Sequence, residues 1–253
     1  MSSEGQWLRR IPGGRREGAE RRIVLFPHAG SFWTTYIPLG QATTAAGIGT
    51  FILELPGRGM RWREVPVDNF ESLAASAARA LLDLPPVPTV FLGHSMGSIA
   101  AFETALTIGE LSGTLVPSLL VSACPSPDDI EALASSRAAC SDSDLLDNLR
   151  RIGAIPDEVW NHEEYLGLLL RAYRDDWRLL STYRMRRDLF FRGKLMPILG
   201  TSDHVVKPDS LKGWLNCALD CLPAKHAPGG HFFVLDSAFW PELLETLELL
   251  FEP

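Results

Sequence analysis

The chain has 253 residues, of which 46% are hydrophobic, and it carries a formal net charge of −7. A chain of this length can bury the core of one full domain, and its acidic balance argues against binding to nucleic acid. No apolar run is long enough to cross a membrane, and residues 1–22 lack the apolar segment of a signal peptide. The four cysteines form no CxxC motif and no zinc-like pattern with histidine, which is typical of inert thiols in the cytoplasm.

Strand and helix patterns alternate along the chain. Residues 1–21 are predicted to be a flexible lead-in, in which Trp7 and Leu8 could add a short edge strand. Apolar runs predict strands at residues 22–26, 50–55, 89–93, 117–123 and 194–200, with a weaker strand at 222–227. Helical spacing is found at residues 34–46, 69–84, 96–109, 207–219 and 237–251. This alternation predicts an α/β protein whose mostly parallel sheet is covered by helices on both faces.

One long segment interrupts the alternation. Residues 126–192 contain no convincing strand, but they hold acidic, helix-forming stretches such as DSDLLDNLRRIG and HEEYLGLLLRAYRDDWRLLSTYR. The sequence therefore predicts a core of residues 22–125 and 193–253, with 126–192 inserted as a helical lid. We expect this insertion to lie over the carboxyl edge of the sheet, where open α/β sheets bind their ligands.

The stretch Gly93-His94-Ser95-Met96-Gly97 joins a predicted strand to a predicted helix and fits the pattern G-x-S-x-G. So tight a turn strains the backbone of the serine, and side chains at the two glycine positions would clash. The turn lifts Ser95 Oγ off the sheet edge, beside the N–H dipoles of the following helix. We predict that Ser95 is a nucleophile, and the alternative is a glycine-rich turn with a capping serine.

A serine hydroxyl is a poor nucleophile until a base takes its proton. In proteins with this turn, the acid and the histidine follow later in the chain. His231 lies in a loop after two glycines and before the last helix, from which it can reach back to Ser95. Asp203 comes directly after the strand at 194–200 and can orient the imidazole, with Asp209 and Asp236 as alternatives.

A tetrahedral intermediate also needs hydrogen-bond donors for its oxyanion. The backbone N–H of Met96, the residue after the nucleophile, is one candidate. The second is the N–H of Ala29, in the turn after the first core strand. His28, next to it, is interpreted as a structural turn histidine in preference to a catalytic one.

The motifs FPHAG, LPGRGMR, GHSMG, GxxD and GGHFF occur in this order along the chain. Together they resemble the type II thioesterases, which are stand-alone editing enzymes of polyketide and nonribosomal peptide assembly lines. The resemblance extends over residues 22–251 and implies the α/β-hydrolase fold. It also implies a set of functional residues, namely the triad Ser95, Asp203 and His231 and the oxyanion amides of Ala29 and Met96.

Two positions depart from the family pattern. Ser31 stands where the family has the second glycine of PHAGG, which is expected to alter the flexibility of that loop. His204 stands where the family often has a proline after the acid, and it brings a second imidazole near the predicted triad.

The resemblance implies that the substrate is an acyl group on the phosphopantetheine arm of an acyl or peptidyl carrier protein. Hydrolysis would free the carrier from stalled or aberrant units, without a metal ion or an organic cofactor. Carrier proteins tend to be acidic, so docking is expected to use basic residues. The candidates are Arg58, Arg61, Arg63, Arg184, Arg186 and Arg187, and the alternative, which is favoured for each cluster, is a set of solvated surface arginines.

The apolar face of the insertion is predicted to roof the acyl pocket. Leu169 and Trp177 are its candidate substrate-binding residues, and ordinary packing of the lid on the core is the alternative for each. Three other functions remain open: a small-molecule esterase, a thioesterase that releases a finished chain, and a non-catalytic binding protein with this fold. An intact Ser, Asp and His set argues against the last, and the lack of a fused carrier segment in the sequence favours a stand-alone protein.

Overall fold

The computed structural model describes residues 7–12, 19–113, 116–137, 141–155 and 160–252, with backbone alone at 134–137. Cys140 and most of the predicted lead-in lie outside these residues. Within the described part, eight strands form one sheet in the order β1-β3-β2-β4-β5-β6-β7, and β8 pairs with β6. The strands are β1 (Leu8–Arg10), β2 (Arg22–Phe26), β3 (Gly49–Leu53), β4 (Thr89–His94), β5 (Ser118–Ser122), β6 (Phe191–Gly200), β7 (Ala218–Cys221) and β8 (Lys225–Ala227).

All neighbouring strands are parallel except β1, which is antiparallel to β3. In this edge pair Leu8 lies opposite Leu53, and Trp7, Leu8 and Ile11 are buried. This part of the predicted lead-in is therefore an ordered edge strand. The burial of its apolar side chains explains why a segment otherwise rich in glycine and arginine adds to the sheet.

Helices cover both faces of the sheet, which confirms the predicted α/β architecture. The helices outside the insertion are α1 (Ile37–Ala45), α2 (Phe70–Leu82), α3 (Met96–Ser112) and α7 (Trp240–Phe251). α2 and α3 pack against each other, and α1 contacts α7. Asn69 begins α2, where its Oδ1 accepts a hydrogen bond from the N–H of Ser72 at 2.8 Å.

The central strands carry continuous apolar runs because helices bury them from both sides. Every residue of β2 is buried, and so are residues 90–94 of β4. The carboxyl ends of these strands meet at one edge of the sheet, where the predicted functional residues also lie.

The prediction of a helix over residues 207–219 is wrong at its carboxyl end, where a strand begins, and the helix before it is a 3-10 helix. Residues Pro208–Asn216 form a 3-10 helix, and Ala218–Cys221 is the strand β7. The buried Trp214 fixes this turn because its indole N–H donates to the carbonyl of Cys124 at 3.0 Å. β7 alternates poorly between buried and exposed residues, so it carries no clear strand pattern.

The insertion contains α4 (Pro127–Arg137), α5 (Asp142–Arg151) and α6 (Glu163–Ser181). Ser141 begins α5 with a capping box, in which Ser141 Oγ accepts from Asp144 N–H and the Asp144 carboxylate accepts from Ser141 N–H. α5 and α6 enclose a small hydrophobic cluster of their own, separate from the main core. Within the described residues, no helix is both long and apolar enough to cross a membrane.

Candidate active site

Ser95 lies at the sharp turn between β4 and α3. Its backbone has φ 54° and ψ −124°, a conformation that is strained for any residue with a side chain. A Cβ at Gly93 would lie 2.4 Å from Cα of Ser98, and one at Gly97 would lie 2.0 Å from the carbonyl oxygen of Phe26. Only glycine therefore fits on either side, which explains the motif.

His231 and Asp203 come together from two loops at the same edge of the sheet. His231 Nδ1 lies 2.9 Å from Asp203 Oδ2, and both side chains are almost fully buried. The two loops are joined directly, because Ser202 N–H donates to the carbonyl of Gly229 at 2.9 Å. The carboxylate is thus held in place to orient the imidazole.

The environment of Asp203 keeps it ionised. Burial raises its pKa, but the hydrogen bond and positive field of His231, with backbone N–H groups, outweigh burial and hold the pKa below its ordinary value. Its Oδ1 accepts the N–H of Val205 at 2.7 Å and of Val206 at 3.0 Å. A carboxylate in this state is suited to stabilise an imidazolium on His231.

The two alternative acids, Asp209 and Asp236, are exposed and interact with other partners than His231. Asp209 is exposed and forms an ion pair with Lys212 at 2.7 Å. Asp236 is exposed, and its Oδ1 accepts the N–H of Ala238 at 2.9 Å. His204 is exposed in the turn after Asp203.

Ser95 and His231 line one pocket of about 220 Å³, together with Ala29 and Met96. The insertion closes it from the other side. The side chains from α5 and α6 that line it are Asn148, Arg151, Tyr173, Trp177 and Leu180. Of the two predicted substrate-binding residues, Trp177 lines the pocket, whereas Leu169 packs in the separate cluster of the insertion.

A larger cavity of about 390 Å³ opens at the other edge of the sheet, at the amino ends of β2 and β4. Its walls are mainly leucine, proline and valine, with Arg22 as the only charged residue among those that line it. Because no nucleophile with a base contributes to this cavity, the smaller pocket is the candidate active site.

The turn that carries Ala29 is held by hydrogen bonds on both sides. We call residues 27–31 the oxyanion loop, after the predicted role of the Ala29 N–H. The carbonyl of His28 accepts from the N–H of Ser31 at 3.2 Å and from its Oγ–H at 2.7 Å. The N–H of Gly30 donates to Asp176 of α6 at 2.7 Å. Met96 is the first residue of α3, where backbone N–H groups have no partner within the helix and attract negative charge.

Two further histidines belong to the same cluster of rings as His231. The rings of His94 and His231 have centroids 5.3 Å apart, those of His28 and His94 5.7 Å, and Phe232 packs against all three. Burial lowers the pKa of His28 to about 3, helped by the charges of His231 and Arg58, and burial also lowers the pKa of His94 well below its ordinary value. These two rings are therefore neutral.

His28 is hydrogen-bonded to Tyr36 through both its backbone and its ring. The hydroxyl oxygen of Tyr36 accepts the backbone N–H of His28 at 3.2 Å and lies 2.8 Å from Nδ1. His28 also lines the pocket, which the interpretation as a turn histidine did not anticipate.

The predicted docking arginines separate into buried and exposed residues. Arg58 and Arg61 are each 6% exposed, so their prediction as docking residues is corrected by their burial. Arg58 forms an ion pair with Asp176, and Arg61 donates to the carbonyl of Glu54 at 2.9 Å. Arg63 is exposed, with its guanidinium over the ring of Trp62.

The second arginine cluster is largely engaged with neighbouring helices. Arg186 pairs with Glu103 at 2.9 Å and with Glu110 at 2.7 Å, and both carboxylates belong to α3. Arg187 is exposed but pairs with carboxylates of α4. Arg184 is exposed.

Sequence reasoning missed Asp176, which is 2% exposed and contacts the oxyanion loop. The pattern of residues in α6 could have pointed to Asp176. The buried residues of this helix are Ala172, Tyr173, Asp176, Leu179 and Leu180, at the spacing of one helical face. A carboxylate in the middle of such an apolar face indicates a specific buried partner.

Comparisons with known proteins agree with this geometry. A family profile described as "Thioesterase domain" matches residues 21–250. The chain is 30% identical to phenyloxazoline synthase MbtB of Mycobacterium tuberculosis, in a match that covers 91% of this chain but only 16% of the synthase. It is 28% identical to the gramicidin S biosynthesis protein GrsT of Aneurinibacillus migulanus, in a match that covers 98% of this chain and 94% of GrsT.

Among solved structures, the type II thioesterase BorB from the borrelidin biosynthetic cluster superimposes with a TM-score of 0.82 at 29% identity. That match covers 95% of this chain and 97% of BorB. Because the family profile spans nearly all of the chain, the protein belongs to the thioesterase-domain family.

Proposed function

We propose that the protein is a serine thioesterase that hydrolyses acyl groups from the phosphopantetheine arm of a carrier protein. By doing so it removes aberrant or stalled units from a polyketide or nonribosomal peptide assembly line. The observation that carries this proposal is the hydrogen bond between Asp203 and His231, at a pocket that Ser95 also lines. The similarity to proteins named for such biosynthetic pathways supports the substrate class.

Acylation uses the nucleophile and the base in one step. Nε2 of His231 takes the proton of Ser95 as Oγ forms a bond to the thioester carbonyl carbon, and the carbonyl electron pair moves to oxygen. The N–H groups of Ala29 and Met96 donate to this oxyanion. When the intermediate collapses, the C–S bond breaks and the imidazolium of His231 returns the proton to the leaving sulfur, which departs as the pantetheine thiol.

Deacylation repeats these steps with water. His231 takes a proton from the water molecule while its oxygen attacks the acyl-serine carbonyl, and the same two N–H groups hold the second oxyanion. Collapse breaks the bond to Ser95 Oγ, which regains its proton from His231, and the free acid leaves. Asp203 stays ionised throughout and stabilises the imidazolium. These steps need no metal ion or organic cofactor.

The proposed partner is an acidic acyl or peptidyl carrier protein, and the proposed site of action is the cytoplasm. Cys217 and Cys221 are free thiols, in keeping with a reducing compartment. Of the predicted docking residues, Arg63 and Arg184 keep exposed guanidinium groups that a carrier could reach.

The test measures hydrolysis of acyl-pantetheine thioesters by the wild type and by Ser95→Ala, His231→Ala and the double variant. Each single variant should lose at least about 10³-fold in kcat, and the double variant should be barely worse, because triad members act as a unit. His226→Ala, which changes an exposed imidazole in β8, serves as the control and should retain activity. Additive losses in the double variant would contradict the assignment.

The same assay distinguishes the other functions. Matched oxygen esters hydrolysed faster than thioesters would indicate a small-molecule esterase. Preference for a complete chain over short acyl units would indicate a chain-releasing enzyme. A binding protein would fail to react with a fluorophosphonate at Ser95.

A further inference from the structure

Asp176 joins the insertion to the oxyanion loop. Its Oδ2 accepts the N–H of Gly30 at 2.7 Å, and its two oxygens together receive both terminal nitrogens of Arg58, Nη1 at 2.6 Å. Arg58 Nη1 also donates to the carbonyl of Ser31 at 3.3 Å, and Nη2 donates to that of Ala172 at 3.4 Å. All of these groups are buried, so the charge-assisted bonds are shielded from water.

The packing around Gly30 brings the loop directly onto α6. Gly30 has φ 78°, and a Cβ on it would lie 3.0 Å from Cβ of Tyr173. Tyr173 and Asp176 are three residues apart, so they lie on the same face of α6. The oxyanion loop is thus both packed on this face and hydrogen-bonded to it.

The direction of an N–H group is set by its peptide plane, because N–H and C=O of a trans peptide point in opposite directions. The peptide before Ala29 is held at its carbonyl by Ser31, through the N–H at 3.2 Å and Oγ–H at 2.7 Å. The peptide after Ala29 is held at its N–H by Asp176. These two restraints together fix both planes that flank Ala29, and so the direction of the Ala29 N–H.

We infer that Asp176, with Arg58, is a positioning residue for the oxyanion hole, acting through the N–H of Gly30. Asp176 is not among the residues that line the pocket. It belongs to the same helix as Tyr173 and Trp177, which line the pocket, so one helix sets the position of both the acyl wall and the oxyanion donor. Displacing α6 would break the bond to Gly30 and release the loop.

Ser31, the residue that departs from the family pattern, takes part in this arrangement. Its hydroxyl supplies a second hydrogen bond to the carbonyl of His28, which a glycine in this position could not make. The departure therefore stiffens the loop rather than loosening it.

The test compares the wild type with Asp176→Asn and with the double variant Arg58→Gln and Asp176→Asn, which leaves neither buried charge unpaired. In both variants we expect kcat for an acyl-pantetheine thioester to fall about tenfold to hundredfold, and KM to change less than about threefold. This loss of kcat is smaller than the loss that follows removal of an oxyanion donor itself. Glu103→Gln is the matched control, because Glu103 is a buried carboxylate paired with Arg186 away from the pocket.

A second measurement separates positioning from a general structural role. A trifluoromethyl ketone analogue adds to Ser95 Oγ and forms an oxyanion, whereas the matching pantetheine amide binds without forming one. In both Asp176 variants the affinity for the ketone should fall by the same factor as kcat/KM, and the affinity for the amide should stay constant. Equal weakening of both ligands, or an effect confined to KM, would overturn the inference. Failure of both variants to fold by circular dichroism would also overturn it, since the pair would then serve the fold.

The inference rests on the proposed hydrolysis, but the two fail differently. If the wild type cleaves only oxygen esters, the proposed substrate is wrong. The comparison of variants on those esters still tests Asp176, because an ester passes through the same oxyanion.

Discussion

At the scale of single residues, two histidines that are held neutral lie in the same cluster as His231, the proposed catalytic base. His28 and His94 are buried beside His231, and burial is the largest cause of the lowered pKa of both. In the proposed mechanism His231 becomes positively charged when it takes a proton, and a further positive charge on His94, whose ring centroid lies 5.3 Å away, would oppose that step.

The buried imidazole of His28 predicts a specific acid sensitivity. Its pKa is about 3 in the folded protein against 6.5 in a free side chain, so from about pH 6.5 down to about pH 3 only the unfolded chain carries this proton. The contribution of His28 to the free energy of unfolding is therefore complete above pH 6.5, and it is lost as the pH falls through this window. Between pH 7 and pH 5 this group should account for a loss of about 2 kcal/mol.

Urea unfolding of His28→Gln at the two pH values measures this contribution. The variant should lose about 2 kcal/mol less than the wild type between pH 7 and pH 5, whatever its absolute stability. His204→Gln, which alters an exposed imidazole, should lose as much as the wild type. An identical loss in His28→Gln and the wild type would mean that His28 is already protonated in the folded protein at pH 5.

The proposed triad could be located in the sequence because each of its three residues follows a predicted strand. Ser95 lies in a motif whose glycines are required by contacts of 2.0 to 2.4 Å, and Asp203 directly follows the long apolar run of β6. Arg58 and Asp176 could not be paired in this way. They are 118 residues apart, and Asp176 has an acidic neighbour, Asp175, so only the packing of α6 reveals which carboxylate is buried.

At the scale of elements, the insertion is fixed to the core just after α6 but keeps a hydrophobic cluster of its own. Tyr183, just after α6, donates to Glu103 of α3 at 2.8 Å, and Arg186 binds the same carboxylate. Burial raises the pKa of Glu103, and Arg186 opposes this rise. Arg186 therefore serves to balance a buried charge, which explains why an arginine read from the sequence as a surface residue is structural.

The two apolar residues predicted to contact substrate should behave differently. Trp177 lines the pocket, so Trp177→Leu should enlarge it and move the preferred acyl chain to greater length, by about fourfold in kcat/KM for each added methylene that the space accepts. Leu169 packs in the cluster of the insertion, so Leu169→Ala should lower the free energy of unfolding and leave the preference unchanged.

Rates on a series of acyl-pantetheine thioesters, with unfolding curves for both variants, check this difference. The ratio of long-chain to short-chain kcat/KM is the informative quantity, since it is unaffected by the fraction of folded enzyme. If Leu169→Ala moves this ratio as far as Trp177→Leu, the whole insertion shapes the pocket and its internal cluster is not a separate unit.

The parallel strands β2, β4, β5 and β6 were predictable because burial on both faces requires unbroken apolar runs. β7 and the 3-10 helix before it were not. β7 is a partly exposed strand of four residues, and its neighbour is stabilised by one buried indole rather than by a periodic pattern. Edge elements of this kind depend on tertiary contacts that the local sequence does not encode.

At the scale of the whole molecule, the protein carries a net charge of −7, and the proposed carrier partner is also acidic. Their overall charges repel, so docking requires a local basic surface. Arg63 meets this requirement: it is exposed, it stacks on the exposed Trp62, and its loop follows β3 at the same edge of the sheet as Ser95. Arg184 is the exposed candidate from the second cluster.

Charge reversal at these arginines should therefore affect carrier-bound substrate alone. Arg63→Glu and Arg184→Glu are each expected to lower kcat/KM for an acylated carrier protein about threefold to tenfold, since an exposed charge acts mainly on association, and to leave the free acyl-pantetheine thioester nearly unchanged. Arg79→Glu is the matched control, because Arg79 is exposed in the last turn of α2, which runs away from the pocket edge.

Added salt should reduce the wild-type rate on the carrier towards that of a variant, because charges are screened beyond about 10 Å at about 0.1 M ionic strength. A variant that loses activity equally on both substrates would show that its arginine supports the pocket, and full activity on the carrier would exclude that arginine from the docking surface.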